Sequence, residues 1–129
     1  MKAAYINQTG PAEVIQYGDL PEPKLKRTQC LIKVAAVDMN PIDVYIRSGM
    51  VPAQLSFPCI LGRDLAGTVL ETGPGVKRFK PGDRVWASSQ GTEGRPGTFA
   101  ELAAVDEPWL YFTPQSVNDE DAVALSLVD

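Results

Sequence analysis

Gln29-Cys30-Leu31-Ile32-Lys33-Val34-Ala35-Ala36-Val37-Asp38-Met39-Asn40-Pro41-Ile42-Asp43-Val44-Tyr45-Ile46-Arg47-Ser48-Gly49 changes its repeat partway along, and that change decides the fold. From Gln29 to Val37, Ile32, Val34 and Ala36 fall on one face and Leu31, Lys33 and Ala35 on the other, the two-residue repeat of a β-strand. From Asn40 to Gly49 the repeat is helical, with Ile42, Tyr45 and Ile46 recurring on one side. Asn40 suits an N-cap, Pro41 the first helical position and Gly49 the stop, while Asp43 lies in the first turn, where the amide dipole favours an anion. The segment therefore reads as a strand running into a short helix.

Outward from there the chain reads as short strands between tight turns. Lys2 to Ile6 is an apolar run that ends at Thr9-Gly10-Pro11, and Glu13 to Tyr17 is a second that ends at Gly18-Asp19, a pattern that predicts a hairpin or corner. Leu20-Pro21-Glu22-Pro23 lacks two ladder donors and should be an extended surface connector. Leu65 to Glu71, Asp83 to Ala87, Thr98 to Val105 and Trp109 to Phe112 read as further strands, and Ser88 to Gly97, with Gly91, Gly94, Pro96 and Gly97, as a loop. About seven short strands with turn signals every eight to twelve residues argue a barrel or sandwich. Gly73-Pro74-Gly75 resembles the opening of a nucleotide-binding glycine fingerprint, but Arg78 stands where the third glycine belongs and Pro81-Gly82 breaks the chain before any helix. It reads as a hairpin turn.

The C-terminal stretch differs. Asn118 can cap a helix whose first turn, Asp119-Glu120-Asp121, is acidic, and Ala122 to Val128 is then apolar nearly all round, Ser126 excepted. So short a helix is marginal alone. The expectation is a further layer of protein beyond it; the alternative is that it docks on the barrel or frays.

Composition bounds the function. The 129 residues, 44% apolar and 22% charged, are ordinary globular proportions and suit one domain. The net charge of −4 repels phosphate backbones and anionic lipid, which argues against nucleic acid as a partner. The N-terminus turns polar at Asn7-Gln8-Thr9, and no stretch approaches the ~18 apolar residues of a membrane span, so a cytoplasmic protein with no membrane partner is expected. Cys30 and Cys59 stand apart among apolar neighbours and imply no disulfide framework.

Four blocks then carry a family resemblance. Asn40-Pro41-Ile42-Asp43-Val44-Tyr45-Ile46-Arg47-Ser48-Gly49 closely resembles the N-P-x-D-x-Y-x-R-x-G segment of zinc-free quinone oxidoreductases and zeta-crystallins. Phe57-Pro58-Cys59-Ile60-Leu61-Gly62-Arg63-Asp64-Leu65-Ala66-Gly67-Thr68-Val69 resembles their F-P-x-x-x-G-x-D-x-A-G-x-V segment, and Val76-Lys77-Arg78-Phe79-Lys80-Pro81-Gly82-Asp83-Arg84-Val85 their V-x-x-F-x-x-G-D-R-V segment. Gly97-Thr98-Phe99-Ala100-Glu101 is similar to a fourth. The resemblance implies a mainly β, GroES-like, partly open barrel with short helices over residues 1–117. Residues 118–129 would then begin the helix leading to a Rossmann domain that is absent from this chain and would hold most of the NADPH. It also implies an NADPH-dependent reductase of quinones or conjugated carbonyls, a homo-oligomer when whole, of which this chain alone would be inactive. The alternative is a non-enzymatic GroES-like or co-chaperonin-like binding module, which would have no use for the helix Asn40 to Gly49 and its Tyr45.

Zinc enzymes of the same superfamily bind metal through cysteine, a Gly-His-Glu segment and a further cysteine or acid. Here there is no histidine, Asp38 and Met39 stand where the first cysteine is expected, and Gly62-Arg63-Asp64 replaces Gly-His-Glu, so no zinc is expected. Without a Lewis acid an alcohol is a poor hydride donor, whereas a quinone or enone delocalises the charge that forms. The resemblance implies that Asn40, with Ile42 and Asp43, contacts the cofactor; Asn40 equally suits a helix cap, and Asp43 is better placed as first-turn support than as an acid catalyst. It implies Tyr45 as a catalytic donor to a carbonyl oxygen, against a role as an apolar body on the helix core face. Arg63 could stabilise an enolate or phenolate, or simply pair with Asp64 or another acid. Arg47 and Arg84 read as structural or surface charges, and Gly62, Gly67, Gly73, Gly75 and Gly82 as turn and close-approach positions.

Overall fold

A computed structural model describes residues 1–50, 55–92 and 94–125. The order is β1 (Lys2–Ile6), β2 (Gln16–Asp19), β3 (Gln29–Asp38), α1 (Pro41–Ser48), β4 (Cys59–Ile60), β5 (Asp64–Thr72), β6 (Arg84–Ala87), β7 (Leu102–Asp106), β8 (Leu110–Phe112) and α2 (Asp119–Leu125), with 3₁₀ turns at Ala12–Val14 and Glu107–Trp109. The strands form two antiparallel sheets, β2-β1-β4 and β7-β3-β5-β6-β8. The sheets do not close. They meet where Phe99, between β6 and β7, accepts from Ala4 N–H at 2.8 Å and donates to the Leu61 carbonyl at 2.9 Å. The mainly β, partly open GroES-like barrel expected from the sequence is the fold observed.

The core lies where the apolar faces of the larger sheet converge. Ile32 sits opposite Val69 of β5 and Ala103 of β7, and with Leu65, Val85, Val105 and Leu110 it is sealed from water. Exposure alternates along β3 as its sequence predicts, with Lys33, Ala35 and Val37 outward. Gly67, in the middle of β5, is where β3 comes closest: a Cβ there would collide with the Lys33 carbonyl oxygen. Irregularities in the β3–β5 register between Leu31 and Ile32 and between Val34 and Ala36 bend the pair and bring Asp38 opposite Asp64 just before α1 begins.

Several boundaries depart from the sequence reading. The second apolar run splits, Ala12–Val14 forming a 3₁₀ turn and Gln16–Asp19 the strand that pairs with β1. Thr98 to Glu101 does not join the ladder of β7; Ala100 makes a single bridge to Ala3 in the other sheet instead. Trp109 belongs to a 3₁₀ turn before β8, and β4, two residues long, was too short to show in the sequence pattern. Gly73-Pro74-Gly75 does form a turn, with Val76 N–H donating to the Gly73 carbonyl at 3.0 Å.

The C-terminal helix starts as its cap residue predicts, Asn118 Oδ1 accepting from Asp121 N–H at 2.7 Å. As far as Leu125, α2 packs on β3, β5 and β6, and Val123 is buried. Its expected continuation through Val128 lies outside the described residues. Arg84 proves structural, its Nη2 donating to the Val117 carbonyl at 2.8 Å and to Asp119 Oδ1 at 3.0 Å. This half-buried clamp is worth about 1 kcal/mol after solvent screening. Arg84→Ala should accordingly lower stability by about that much and speed amide exchange in α2 more than in β5, as hydrogen-exchange measurements would show.

Candidate active site

The β3–α1 junction and the start of β5 form one corner. Asn40 is in extended conformation at the N-cap of α1, Pro41 takes the first turn and Gly49 closes the helix in the left-handed region at φ 86°. The Asp43 carboxylate reaches back to accept from the Asn40 backbone N–H at 2.8 Å, the return arm of a capping box. The Asn40 side-chain amide does something the cap role does not require: its Nδ2 donates to Asp64 Oδ2 at 2.6 Å, across 24 residues of sequence. Cap and cross-link are thus made by one residue.

Asp64 and Arg63 are held in turn from the loop after β6 and the segment before β7. Thr98 Oγ1 donates to the Asp64 carbonyl at 2.8 Å and Gln90 N–H to the Arg63 carbonyl at 3.0 Å. Gly62 makes the corner possible, since its φ is +103° and a Cβ would lie 2.5 Å from Thr98 Oγ1. Asp64 and Asp43 are both buried, at 0% and 5% exposure, and Arg63 Nε is buried without a hydrogen-bond acceptor among the described residues.

Burial is the main force raising the Asp43 pKa above its ordinary 3.8, with the Asp64 and Asp38 charges pushing the same way and the Asn40 N–H and the Arg63 guanidinium pulling back. The folded chain therefore holds the Asp43 proton more tightly than the unfolded chain. That contribution to stability is complete below the ordinary value and is lost as pH rises through the folded-state pKa. Asp43→Asn keeps an acceptor for the Asn40 N–H and removes the buried charge. Melting curves across about pH 4 to 7 should show a flatter pH dependence for the variant and no loss of melting temperature at the upper end.

The structure brings Asn40, Asp43 and Arg63 together with Asp38 and Asp64. Ile42 is half-buried beside them on α1. Tyr45 is not on the core face that its spacing suggested: Asp43 and Ile46 are the buried residues of α1, and Tyr45 is 43% exposed. Its ring is available to something outside the barrel. Sequence reasoning missed Gln90 and Thr98, which it placed in a loop and a strand; their backbone-holding bonds have no periodic signal. Among the described residues no three His, Cys, Asp or Glu side chains are arranged to hold a metal ion.

Residues 26–115 match the family described as the alcohol dehydrogenase GroES-like domain. The chain belongs to that family. Its relatives include quinone oxidoreductases. The chloroplast envelope quinone oxidoreductase homolog of Arabidopsis thaliana is 37% identical over 123 residues, covering 94% of this chain and 37% of its own length. Mouse quinone oxidoreductase is 34% identical over 98% of this chain and 38% of its own length. Among solved structures, the Pseudomonas syringae quinone oxidoreductase superposes with a TM-score of 0.89 at 34% identity, covering 98% of this chain and 37% of that one. Escherichia coli quinone oxidoreductase complexed with NADPH gives 0.88 at 28% identity, over 96% and 36%. This GroES-like chain thus spans a little over a third of the length of these relatives. No helix among its described residues is long and apolar enough to cross a membrane.

Proposed function

We propose that the chain is the substrate-side wall of an NADPH-dependent reductase of quinones and conjugated carbonyls, working by hydride transfer without metal. Residues 1–117 would form the catalytic domain and residues 118–129 would lead to a nucleotide-binding Rossmann domain, in a cytoplasmic homo-oligomer. The observation that carries this reading is the Asn40–Asp64 bond, which joins the N-P-x-D-x-Y and G-x-D segments into one rigid corner with Tyr45 on the next turn.

The corner fits one end of the cofactor and not the other. Asp38, Asp43 and Asp64 set three carboxylates against the single guanidinium of Arg63, a field that repels phosphates and favours the positive charge of an oxidised nicotinamide. Asn40, with Ile42 and Asp43 behind it, would border the nicotinamide; the pyrophosphate and 2′-phosphate need donors from another domain. When bound, the nicotinamide supplies the hydride. Tyr45 would donate its O–H to the substrate carbonyl oxygen, and Arg63 would stabilise the negative charge that grows there. The buried faces of Ile42 and Ile46 keep α1, and so Tyr45, in place.

Joined through its C-terminal helix to the nucleotide-binding half of a quinone oxidoreductase, the chain should oxidise NADPH with a quinone and with a conjugated enone. Turnover should be unaffected by chelators and absent with a simple alcohol and NADP⁺. Alcohol oxidation that is lost on chelation would reject the reading.

A further inference from the structure

We infer that Asp64 is a positioning residue, acting through the amide of Asn40: it fixes which way that amide faces and so gives the site an oxygen acceptor where the amide is free. The inference rests on the reading of Asn40 as a cofactor contact.

The geometry leaves the amide little choice. An ionised carboxylate only accepts hydrogen bonds, and an asparagine side chain presents a donor at one end and an acceptor at the other. The 2.6 Å separation between Asn40 Nδ2 and Asp64 Oδ2 is that of a short hydrogen bond. Rotating the amide by half a turn would set its oxygen against a carboxylate oxygen at that distance, a repulsion inside a site from which water is excluded, since Asp64 is 0% exposed. The NH₂ group is therefore held toward Asp64, and Oδ1 lies on the side of the Asp43 backbone N–H, where the capping box places it and where its second lone pair can still meet a ligand. A carboxamide on a ligand has N–H groups to offer such an acceptor; a lone phosphate has none.

Asp64 is itself held against movement. It opens β5 opposite Asp38, its carbonyl takes the Thr98 hydroxyl at 2.8 Å, and the preceding Arg63 carbonyl takes the Gln90 N–H at 3.0 Å. The backbone of Asn40 is held by the Asp43 carboxylate, so the Asn40–Asp64 bond is not needed to cap α1.

The roles of donor and acceptor can be exchanged. In Asn40→Asp/Asp64→Asn the bond is kept with donor and acceptor interchanged and position 40 still turns an oxygen to the ligand, while in Asp64→Asn alone the two amides pair in either sense. In the 129-residue chain, NMR should show the Asn40 side-chain amide with one proton protected from solvent exchange, and Asp64→Asn should reduce that protection. An unprotected Asn40 amide in the parent chain would overturn the inference. In the protein joined to a nucleotide-binding half, Asp64→Asn should raise KM for NADPH roughly three- to tenfold, and the exchanged pair, which keeps an oxygen acceptor at position 40, should bring KM back to within about twofold of the parent. If Asp64→Asn lowers the melting temperature without raising KM for NADPH, Asp64 is merely structural and the inference fails. Asn40→Ala separates the two claims. Without a change in KM for NADPH, the reading of Asn40 as a cofactor contact fails; a raised KM in Asn40→Ala beside an unchanged one in Asp64→Asn rejects the positioning role alone.

Discussion

Arg63→Met is expected to cost roughly 2–4 kcal/mol of stability at neutral pH and most of the reductase activity of the joined protein. Arg63 is the cation that draws the Asp43 pKa back down against burial and two like charges. Methionine fills a similar volume but leaves the carboxylates of Asp43 and Asp64, both buried, without that charge. The Asp43 pKa should then move higher still. By linkage the variant should be most stable in acid and should lose stability with rising pH more steeply than the parent. Denaturant unfolding at two pH values reads this directly. Equal losses at both would mean that Arg63 acts by packing alone. Asp43→Asn in the Arg63→Met background should restore part of the stability, since it removes one of the stranded charges.

Gly67→Ala should destabilise the domain by roughly 3 kcal/mol or more. Gly67 pairs with Val34 on one side and Val85 on the other, so it has strands on both flanks and no freedom to shift outward. A methyl group would collide with the Lys33 carbonyl oxygen and press on Ile32, the centre of the core. Relief would mean parting β3 from β5, the longest strand pair in the molecule. Gly82→Ala offers a contrast: no atom lies within 4 Å of its would-be Cβ, and only its φ of +95° resists, so a loss of about 1 kcal/mol is expected. Chemical denaturation of the two variants side by side distinguishes steric collision from backbone preference.

The parts of the fold that were legible in the sequence are those fixed by local rules. The switch from strand to helix near Asn40 shows because a two-residue and a 3.6-residue repeat differ within one segment, and Pro41 and Gly49 mark the helix ends by their backbone preferences alone. Pairing partners are not local. Nothing in Thr98-Phe99-Ala100 says that its bonds go to Leu61 and Ala4 in place of the neighbouring ladder. Tyr45 shares the helical repeat of Ile42 and Ile46, yet the buried arc of α1 is narrow and centres on Asp43 and Ile46, a carboxylate that no hydrophobic pattern would put inside. The candidate site could be drawn from the sequence as a set of residue types through its resemblance to a family. Its organising contact, Asn40 to Asp64, could not, because the same asparagine satisfies the rule for a helix cap without it.

In the proposed function the corner of Asp38, Asp43, Asp64 and Arg63 borders a nicotinamide and repels the phosphates that must anchor it. The most direct measurement is the rate of NADPH oxidation by the purified 129-residue chain with a quinone acceptor. The rate should match that of the protein-free blank at any practicable chain concentration. A rate that rises in proportion to the chain and saturates with NADPH would show that this domain holds the whole cofactor by itself, contrary to the charge balance at Asp38, Asp43, Asp64 and Arg63.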